Sequence, residues 1–212
     1  MKLYYAETPA PRKVCAVARY LDLPIDYVFV DLLKGEQTKS EYLAINPNGK
    51  VPVLVEGERK LWEADAIVCY FAQRTDSGLW PRDPQQQIEV VRWMSWNSQH
   101  LFRQAGALYY EYLVKAWVGI GAPDEAKVAE AQGLFRKNAA VLEQHLKGRK
   151  WLLGNDLSVA DFLVGAMLPY APRAAIPLNE FSEVQRWHDQ LNAFDAWRKP
   201  FPERAGQAAW QA

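Results

Sequence analysis

The stretch NGKVPVL, Asn48 to Leu54, decides the first half of the fold. It places a proline directly before a run of apolar residues, and proline lacks the N–H that a central strand position uses. The simplest interpretation is that Pro52 begins an edge strand. The alternative is that the polar turn before Pro52 presents its backbone to a ligand, and the rest of the chain must decide between them.

Strand and helix patterns alternate on the N-terminal side of this stretch. The runs KLYY (2–5) and DYVFV (26–30) are rich in aromatic and β-branched residues, which is typical of strands. Between them, apolar residues recur at the spacing of one helix face, at Val14, Val17, Ala18 and Leu21. A strand, a helix and a strand in this order predict a parallel pair with a right-handed crossover.

A short helix, a hairpin and a longer helix complete this half. SEYLAI (40–45) has the composition of a short helix, and VPVLV and RKLWE flank a turn in which Gly57 supplies a positive φ. Apolar spacing then predicts a helix around Ile67 and Phe71. The element order is thioredoxin-like, so we predict a domain with a mixed four-stranded sheet over residues 1–77.

The pattern changes to helices alone after a proline-containing linker at residues 78–84. We predict an all-α domain over residues 85–212. Its first segment reads as one long helix or two in series, broken near Gly119. SVADFLVGAMLPYA (158–171) is apolar on all sides and predicts a buried central helix, with Ser158 and Asp161 forming a capping box at its start.

The composition excludes several classes of function. The 212 residues include 25 basic and 25 acidic side chains, so no net charge attracts nucleic acid or an anionic membrane. We expect neither a signal peptide nor a membrane span, and we expect a cytoplasmic protein. Cys15 and Cys69 then read as free thiols, with a disulfide as the alternative. The three histidines lack metal-ligand spacing, so we predict no metal site.

Three motifs in order, NPNGKVPVL (46–54), EADAI (63–67) and GNDLSVAD (154–161), make the whole chain resemble the soluble glutathione S-transferases. The style of the first motif is closest to the serine-type theta and phi classes and to their bacterial relatives. The resemblance implies a cytoplasmic homodimer that takes part in detoxification, with glutathione as co-substrate and a small apolar electrophile as second substrate. Two alternatives stay open, namely a glutathione-dependent disulfide reductase and a non-catalytic binding or interaction module.

The resemblance also assigns a role to the opening stretch. It implies that the Val51–Pro52 bond is cis, because only X–Pro bonds adopt cis at a low cost of about 0.5–1 kcal/mol. The Val51 N–H and C=O would then pair with the cysteinyl backbone of glutathione. Lys50 would meet the glycyl carboxylate, or it is a plain solvated lysine. Gln37 stands where relatives often carry a cation, and it would add a neutral hydrogen bond.

The second motif implies a site for the γ-glutamyl end of glutathione. Glu63 would bind its ammonium group, unless this side chain only caps the following helix. Relatives carry a serine at the position of Ala64, and its hydroxyl contacts the α-carboxylate. Because Ala64 has no hydroxyl, that carboxylate is left with the backbone N–H groups at the helix N-terminus.

The loop YYAETPAPRKV (4–14) is the expected source of thiol activation. Counting back from RKV places the serine of relatives at Thr8, whereas counting forward from KLYY reaches Pro9. We favour Thr8, because a hydroxyl donates a hydrogen bond to a thiolate and proline does not. Tyr5 is the alternative, and activation without any hydroxyl is a third. Thr8 also has a purely structural reading, in which its hydroxyl bonds a nearby backbone group.

Overall fold

The computed structural model describes residues 1–203, and these divide into two compact units. Unit 1 contains residues 1–80 together with the segment that begins at Phe194, and unit 2 contains residues 81–193. The sequence-based division differs, since it continued the helical domain to residue 212. Residues 204–212, the end of that predicted domain, lie outside the described residues.

Unit 1 is built on the predicted mixed sheet of four strands. Its elements are, in chain order, β1 (Lys2–Tyr5), α1 (Pro9–Tyr20), β2 (Asp26–Phe29), α2 (Ser40–Leu43), β3 (Val53–Glu56), β4 (Arg59–Trp62) and α3 (Ala64–Gln73). The strand order is β2-β1-β3-β4, with β1 parallel to β2 and antiparallel to β3, and β3 antiparallel to β4. Gly57 has φ +59° in the β3–β4 turn, as predicted.

Helices α1 and α3 pack against each other through apolar faces that are fully buried at Val14, Val17, Ile67 and Phe71. An ion pair between Lys13 of α1 and Asp65 of α3 joins the same two helices. The apolar spacing found in the sequence therefore marks the faces that meet.

The regular elements of unit 2 are helices, apart from one isolated β-bridge between Trp151 and Gly154. Its helices are α4 (Pro84–Gln99), α5 (Leu101–Tyr109), α6 (Lys115–Val118), α7 (Glu125–Leu146), α8 (Val159–Gly165) and α9 (Ser182–Asn192). The first predicted segment is two helices in series that are interrupted at His100, where φ is −119° and ψ is −77°, and one π-helical turn, Tyr110–Val114, follows α5. Gly119 ends α6 in the left-handed region. All seven residues of α8 are buried, and its capping box is present, as predicted.

The segment that returns to unit 1 carries a short helix, α10 (Asp195–Arg198), packed on α1. Trp197 is fully buried, and its carbonyl accepts a 2.6 Å hydrogen bond from the guanidinium of Arg12. The ring of Phe201 stacks on Tyr5 with centroids 6.1 Å apart. These contacts explain why the segment belongs with unit 1, although it follows unit 2 in the chain.

Candidate functional site

The topology of unit 1 brings the predicted site residues to one end of the sheet. Thr8 follows the end of β1, Val51 precedes the start of β3, and Glu63 follows the end of β4. The register pairs Tyr4 with Val53 and Val53 with Trp62, so these three strand ends are neighbours. Residues that are far apart in the sequence therefore lie at the same end of the sheet.

The Val51–Pro52 peptide bond is cis, which confirms the geometry implied by the resemblance. Val51 is half-buried and lies just before β3. Among the described residues, neither its N–H nor its C=O has a hydrogen-bond partner. One donor and one acceptor are thus available to pair with an extended peptide.

Asn46 and Tyr42 hold this turn, and the sequence analysis missed both of them. The Lys50 carbonyl accepts hydrogen bonds from the Asn46 amide and the Tyr42 hydroxyl, each at 2.7 Å. Asn46 is only 2% exposed, and its Oδ1 accepts from the Asn48 N–H at 3.1 Å. The Asn-Pro-Asn-Gly composition signals a turn but does not show which asparagine organises it.

Lys50 and Gln37 lie on neighbouring segments beside this turn. A Cβ added at Gly49, which has φ +60°, would lie 3.2 Å from the Gln37 carbonyl oxygen. Lys50 is exposed, and its ammonium group has no partner among residues 1–203. The Gln37 amide donates a long hydrogen bond of 3.4 Å to the Leu32 carbonyl, and its buried Oε1 has no partner in the described part of the chain.

Glu63 occupies the N-cap position of α3 with φ +71° and ψ +115°, a backbone conformation that residues other than glycine rarely adopt. Backbone strain of this kind costs about 1–3 kcal/mol and tends to occur at functional sites. The Glu63 side chain makes no capping hydrogen bond, so the plain capping role is not observed. Its exposed carboxylate has no partner within the described ranges.

Ala64 begins α3 and is buried, with Asp65 and Ala66 following in the first turn. Among residues 1–203, the backbone N–H groups of these three residues donate no hydrogen bond. Such free N–H groups, together with the helix dipole, attract an anion. Ala64 has no hydroxyl to offer a carboxylate, but the free backbone N–H groups at the start of α3 can bind one.

Thr8 is the N-cap of α1 and is half-buried. Its hydroxyl makes no capping hydrogen bond, and no other partner occurs in the described part of the chain. The structural reading, in which this hydroxyl bonds a nearby backbone group, is therefore not observed. Pro9 and Pro11 follow within the first turn and carry no N–H, so the hydroxyl is a prominent donor at this helix start.

Tyr5 is placed differently, because its side chain is only 1% exposed. Its ring packs edge-on against Tyr27 and Phe29, each with centroids 5.7 Å apart. This aromatic packing disfavours Tyr5 as the group that contacts a thiol, so Thr8 is the better placed of the two hydroxyl candidates.

The two cysteines are free and are poorly placed to act as nucleophiles. Burial raises the pKa of the fully buried Cys15 thiol far above its usual range. Burial, assisted by the nearby Asp65 carboxylate, raises the pKa of Cys69 to about 12. Both therefore remain thiols at neutral pH.

The described residues contain neither a metal-binding cluster nor a helix that could span a membrane. No group of three or more His, Cys, Asp or Glu side chains in residues 1–203 is arranged to hold a metal ion. None of the helices described there has the length and apolar character needed to cross a membrane.

Comparison with known families gives two matches that together span most of the chain. The family model described as "Glutathione S-transferase, N-terminal domain" matches residues 1–73. The model described as "Glutathione S-transferase, C-terminal domain" matches residues 66–195.

Individual relatives are similar over nearly their whole length. A glutathione S-transferase of Hyoscyamus muticus is 31% identical over 205 residues, which cover 94% of this chain and 96% of that protein. The crystal structure of glutathione transferase F2 from Populus trichocarpa superposes with a TM-score of 0.87 at 24% identity, covering 94% of this chain and 96% of that one. A glutathione transferase from Burkholderia graminis, with two glutathione molecules bound per subunit, gives a TM-score of 0.81 at 24% identity, with coverages of 94% and 86%.

Proposed function

The chain belongs to the glutathione S-transferase family and is a glutathione transferase, and from this premise we propose that Thr8 activates the glutathione thiol. The observation that carries the proposal is the half-buried Thr8 hydroxyl at the start of the 12-residue helix α1, with no hydrogen-bond partner among residues 1–203. It is free to donate to a sulfur anion, and the N-terminus of α1 adds a partial positive charge.

A hydrogen bond from Thr8 and the N-terminus of α1 together can stabilise the glutathione thiolate enough to form it at neutral pH. A cysteine thiol has a pKa of about 8.5, and lowering it by about two units requires roughly 2.7 kcal/mol of preferential stabilisation of the thiolate. One hydrogen bond to a charged group supplies about 1.5–3 kcal/mol. A helix N-terminus supplies about 0.3–1 kcal/mol more. The two contributions together place a large fraction of bound glutathione in the thiolate form at neutral pH.

Glutathione would lie across the end of the sheet where Thr8, Val51 and Glu63 are found. Its cysteinyl backbone would pair with the unpaired N–H and C=O of Val51, after the cis bond to Pro52. The glycyl carboxylate would meet the ammonium group of Lys50, with Gln37 beside it. Because Gln37 already donates to Leu32, its contribution requires the second hydrogen of its amide.

The γ-glutamyl end would lie at the start of α3. The unpaired carboxylate of Glu63 would bind the ammonium group. The free N–H groups that begin at Ala64 would receive the α-carboxylate. Without the serine hydroxyl found in relatives, we expect weaker binding of this carboxylate than a serine at position 64 would give.

The reaction follows from these positions. The thiol proton leaves to solvent as the Thr8 hydroxyl stabilises the thiolate. The sulfur electron pair then forms a bond to an electrophilic carbon of an apolar substrate. The leaving group departs with its bonding electrons, or an opened epoxide oxygen takes up a proton.

Three further features belong to this proposal. The protein acts as a homodimer, which is supported by apolar side chains on α4 that are exposed in the single chain, with Ile88 at 65% and Val91 at 40%. It works in the cytoplasm, which fits the two free thiols Cys15 and Cys69. Its role is detoxification of a small apolar electrophile.

The proposal is tested by titrating glutathione into wild type and Thr8→Val and following thiolate absorbance in the ultraviolet across pH. We expect a saturable thiolate signal at neutral pH in wild type and its loss in Thr8→Val. The loss of one charged hydrogen bond should lower kcat/KM with an aryl halide about 10- to 100-fold. Thr8→Ser keeps the hydroxyl and should keep the signal.

Other outcomes would contradict separate parts of the proposal. A thiolate signal that survives Thr8→Val would remove Thr8 from the activating role. Saturable binding without a thiolate signal would contradict thiol activation, and turnover of a glutathione mixed disulfide would then identify a reductase. Binding without any turnover would identify a non-catalytic module, and no binding at millimolar glutathione would overturn the proposed site.

A further inference from the structure

A buried ion pair connects the starts of the two helices that border the proposed site. Lys13 of α1 is only 5% exposed, and its ammonium group pairs with the Asp65 carboxylate, whose side chain is 23% exposed. An ammonium group is rarely buried unless a partner compensates its charge. The pair lies close to Cys69, since both charges act on that thiol.

Asp65 occupies a position where its own charge would oppose the proposed ligand. It is the second residue of α3, within the turn whose free N–H groups would receive the γ-glutamyl α-carboxylate. Glu63, the N-cap residue, adds a second acid at the same helix start. Two carboxylates there would repel a third, and the helix dipole alone provides only about 0.3–1 kcal/mol of attraction.

The roles of the two acids differ. The Glu63 carboxylate is exposed and unpaired among the described residues, so it is available to the ammonium group of the ligand. The Asp65 carboxylate is directed to Lys13, which lies on the neighbouring helix. Compensation by Lys13 therefore leaves one acid for the ligand's ammonium group and keeps the helix start attractive to the ligand's carboxylate.

We infer that Lys13 is a positioning residue for the γ-glutamyl carboxylate of glutathione, acting by compensating the charge of Asp65 at the start of α3. This inference rests on the proposed function. Because Lys13 is buried and pairs with Asp65, it would act on the ligand through Asp65. The alternative is a purely structural role, in which the pair only holds α1 and α3 together.

Two ligands, one with the α-carboxylate and one without it, distinguish the positioning role of Lys13 from a purely structural role. Glutathione carries the α-carboxylate, whereas γ-aminobutyryl-cysteinyl-glycine is the same tripeptide without it. We would measure both dissociation constants by isothermal titration calorimetry at low ionic strength. The proteins are wild type, Lys13→Met, Lys13→Arg, Asp65→Asn and the double variant Lys13→Met with Asp65→Asn.

We expect Lys13→Met to weaken glutathione binding about tenfold, the order expected for one uncompensated charge in a partly solvated site. Binding of the decarboxylated analogue should change less than about twofold, because it has no carboxylate to repel. Lys13→Arg and the double variant should bind glutathione as wild type does, and Asp65→Asn should bind it no more weakly. Lys2→Met is the matched control, since it removes an exposed lysine of the same unit.

Several results would overturn the inference. It fails if Lys13→Met binds glutathione as wild type does, if it loses affinity equally for both ligands, or if Asp65→Asn weakens binding. If Lys13→Met does not fold, the comparison of Asp65→Asn and the double variant with wild type still decides, because neither retains an unpaired acid at position 65. A wild-type protein that does not bind glutathione would overturn the proposed function itself, which is a distinct result.

Discussion

Three hydrogen bonds from one buried amide, that of Asn46, hold the turn before Pro52. Its Nδ2 donates to the Lys50 carbonyl at 2.7 Å, and its Oδ1 accepts from the backbone and side-chain N–H groups of Asn48 at 3.1 and 3.0 Å. The Lys50 carbonyl and the Val51 N–H belong to the same planar peptide unit, so the bonds that fix the carbonyl also fix the direction of that N–H. Asn46 thus prepares a binding backbone without contacting the ligand.

Replacing Asn46 by Ala should destabilise unit 1 and weaken glutathione binding together. The Lys50 carbonyl would keep only its bond from Tyr42, so we expect a loss of about 1–3 kcal/mol in the free energy of unfolding. The dissociation constant for glutathione should rise several-fold, because the Val51 peptide is no longer held. Urea unfolding and calorimetric titration measure the two effects. Asn179→Ala, at an exposed asparagine of unit 2, is the control, and an unchanged affinity in Asn46→Ala would contradict this role.

The sequence predicted some features of individual site residues and missed others. The cis bond at Pro52 was implied by the family resemblance, and proline permits it because X–Pro bonds adopt cis at low cost. The burial of Tyr5 was not predictable, because it depends on packing against segments distant in the chain, such as Phe201. The ion pair between Lys13 and Asp65 was missed for the same reason.

Helix α8 depends on a single carboxylate at its start. Asp161 is fully buried and accepts hydrogen bonds from the Ser158 N–H and Leu152 N–H, both at 2.9 Å, and from the Trp187 indole at 2.8 Å. The Ser158 hydroxyl donates a further bond of 3.1 Å. The capping box predicted from SVAD is therefore part of a network that also ties α9 and the loop at Leu152 to α8.

This network predicts unequal costs for its two members. Ser158→Ala should lower the free energy of unfolding by about 0.5–2 kcal/mol, the usual cost of losing a helix cap. Asp161→Ala should cost about 3–5 kcal/mol, because it leaves the buried N–H groups of Leu152 and Trp187 unpaired. Urea unfolding followed by circular dichroism measures both. Asp83→Ala, which removes the exposed cap of α4, should cost less than either; equal costs at Ser158 and Asp161 would contradict the network.

Helices with strong apolar periodicity were predicted well. Interruptions of helices that no glycine or proline marks were not predicted. The stripe Phe135, Ala139, Leu142 and Leu146 lies buried along α7, as its spacing required. The interruption between α4 and α5 at His100 has no glycine or proline to signal it. The π-helical turn that follows α5 differs from an α-helix by one hydrogen-bond offset, which leaves no signature in composition.

At the scale of the whole molecule, unit 1 is assembled from two separate parts of the chain. The segment around α10 contributes the fully buried Trp197 and hydrogen-bonds Arg12, one residue before Lys13. Its composition gave no reason to separate it from the helical domain, because α10 spans only four residues and has no period of its own. It packs on the helix whose first turn follows Thr8.

Trp197→Ala should therefore destabilise unit 1 although residue 197 follows unit 2 in sequence. Removing a fully buried indole costs about 3–5 kcal/mol. Native-state hydrogen exchange should show faster exchange of the α1 amides, while the amides of α8 should keep wild-type rates. Trp62→Ala, at a 42% exposed tryptophan of the same unit, is the control and should change stability much less. Unchanged exchange in α1 would contradict the assignment of this segment to unit 1.

The discontinuous make-up of unit 1 also has a consequence for biosynthesis. Domains generally fold as they emerge from the ribosome, with the N-terminal one first. Here the apolar surface that Trp197 covers on α1 stays bare until unit 2 has been translated. The domain made first is thus the one completed last, and during that interval the nascent chain exposes surface that chaperones recognise.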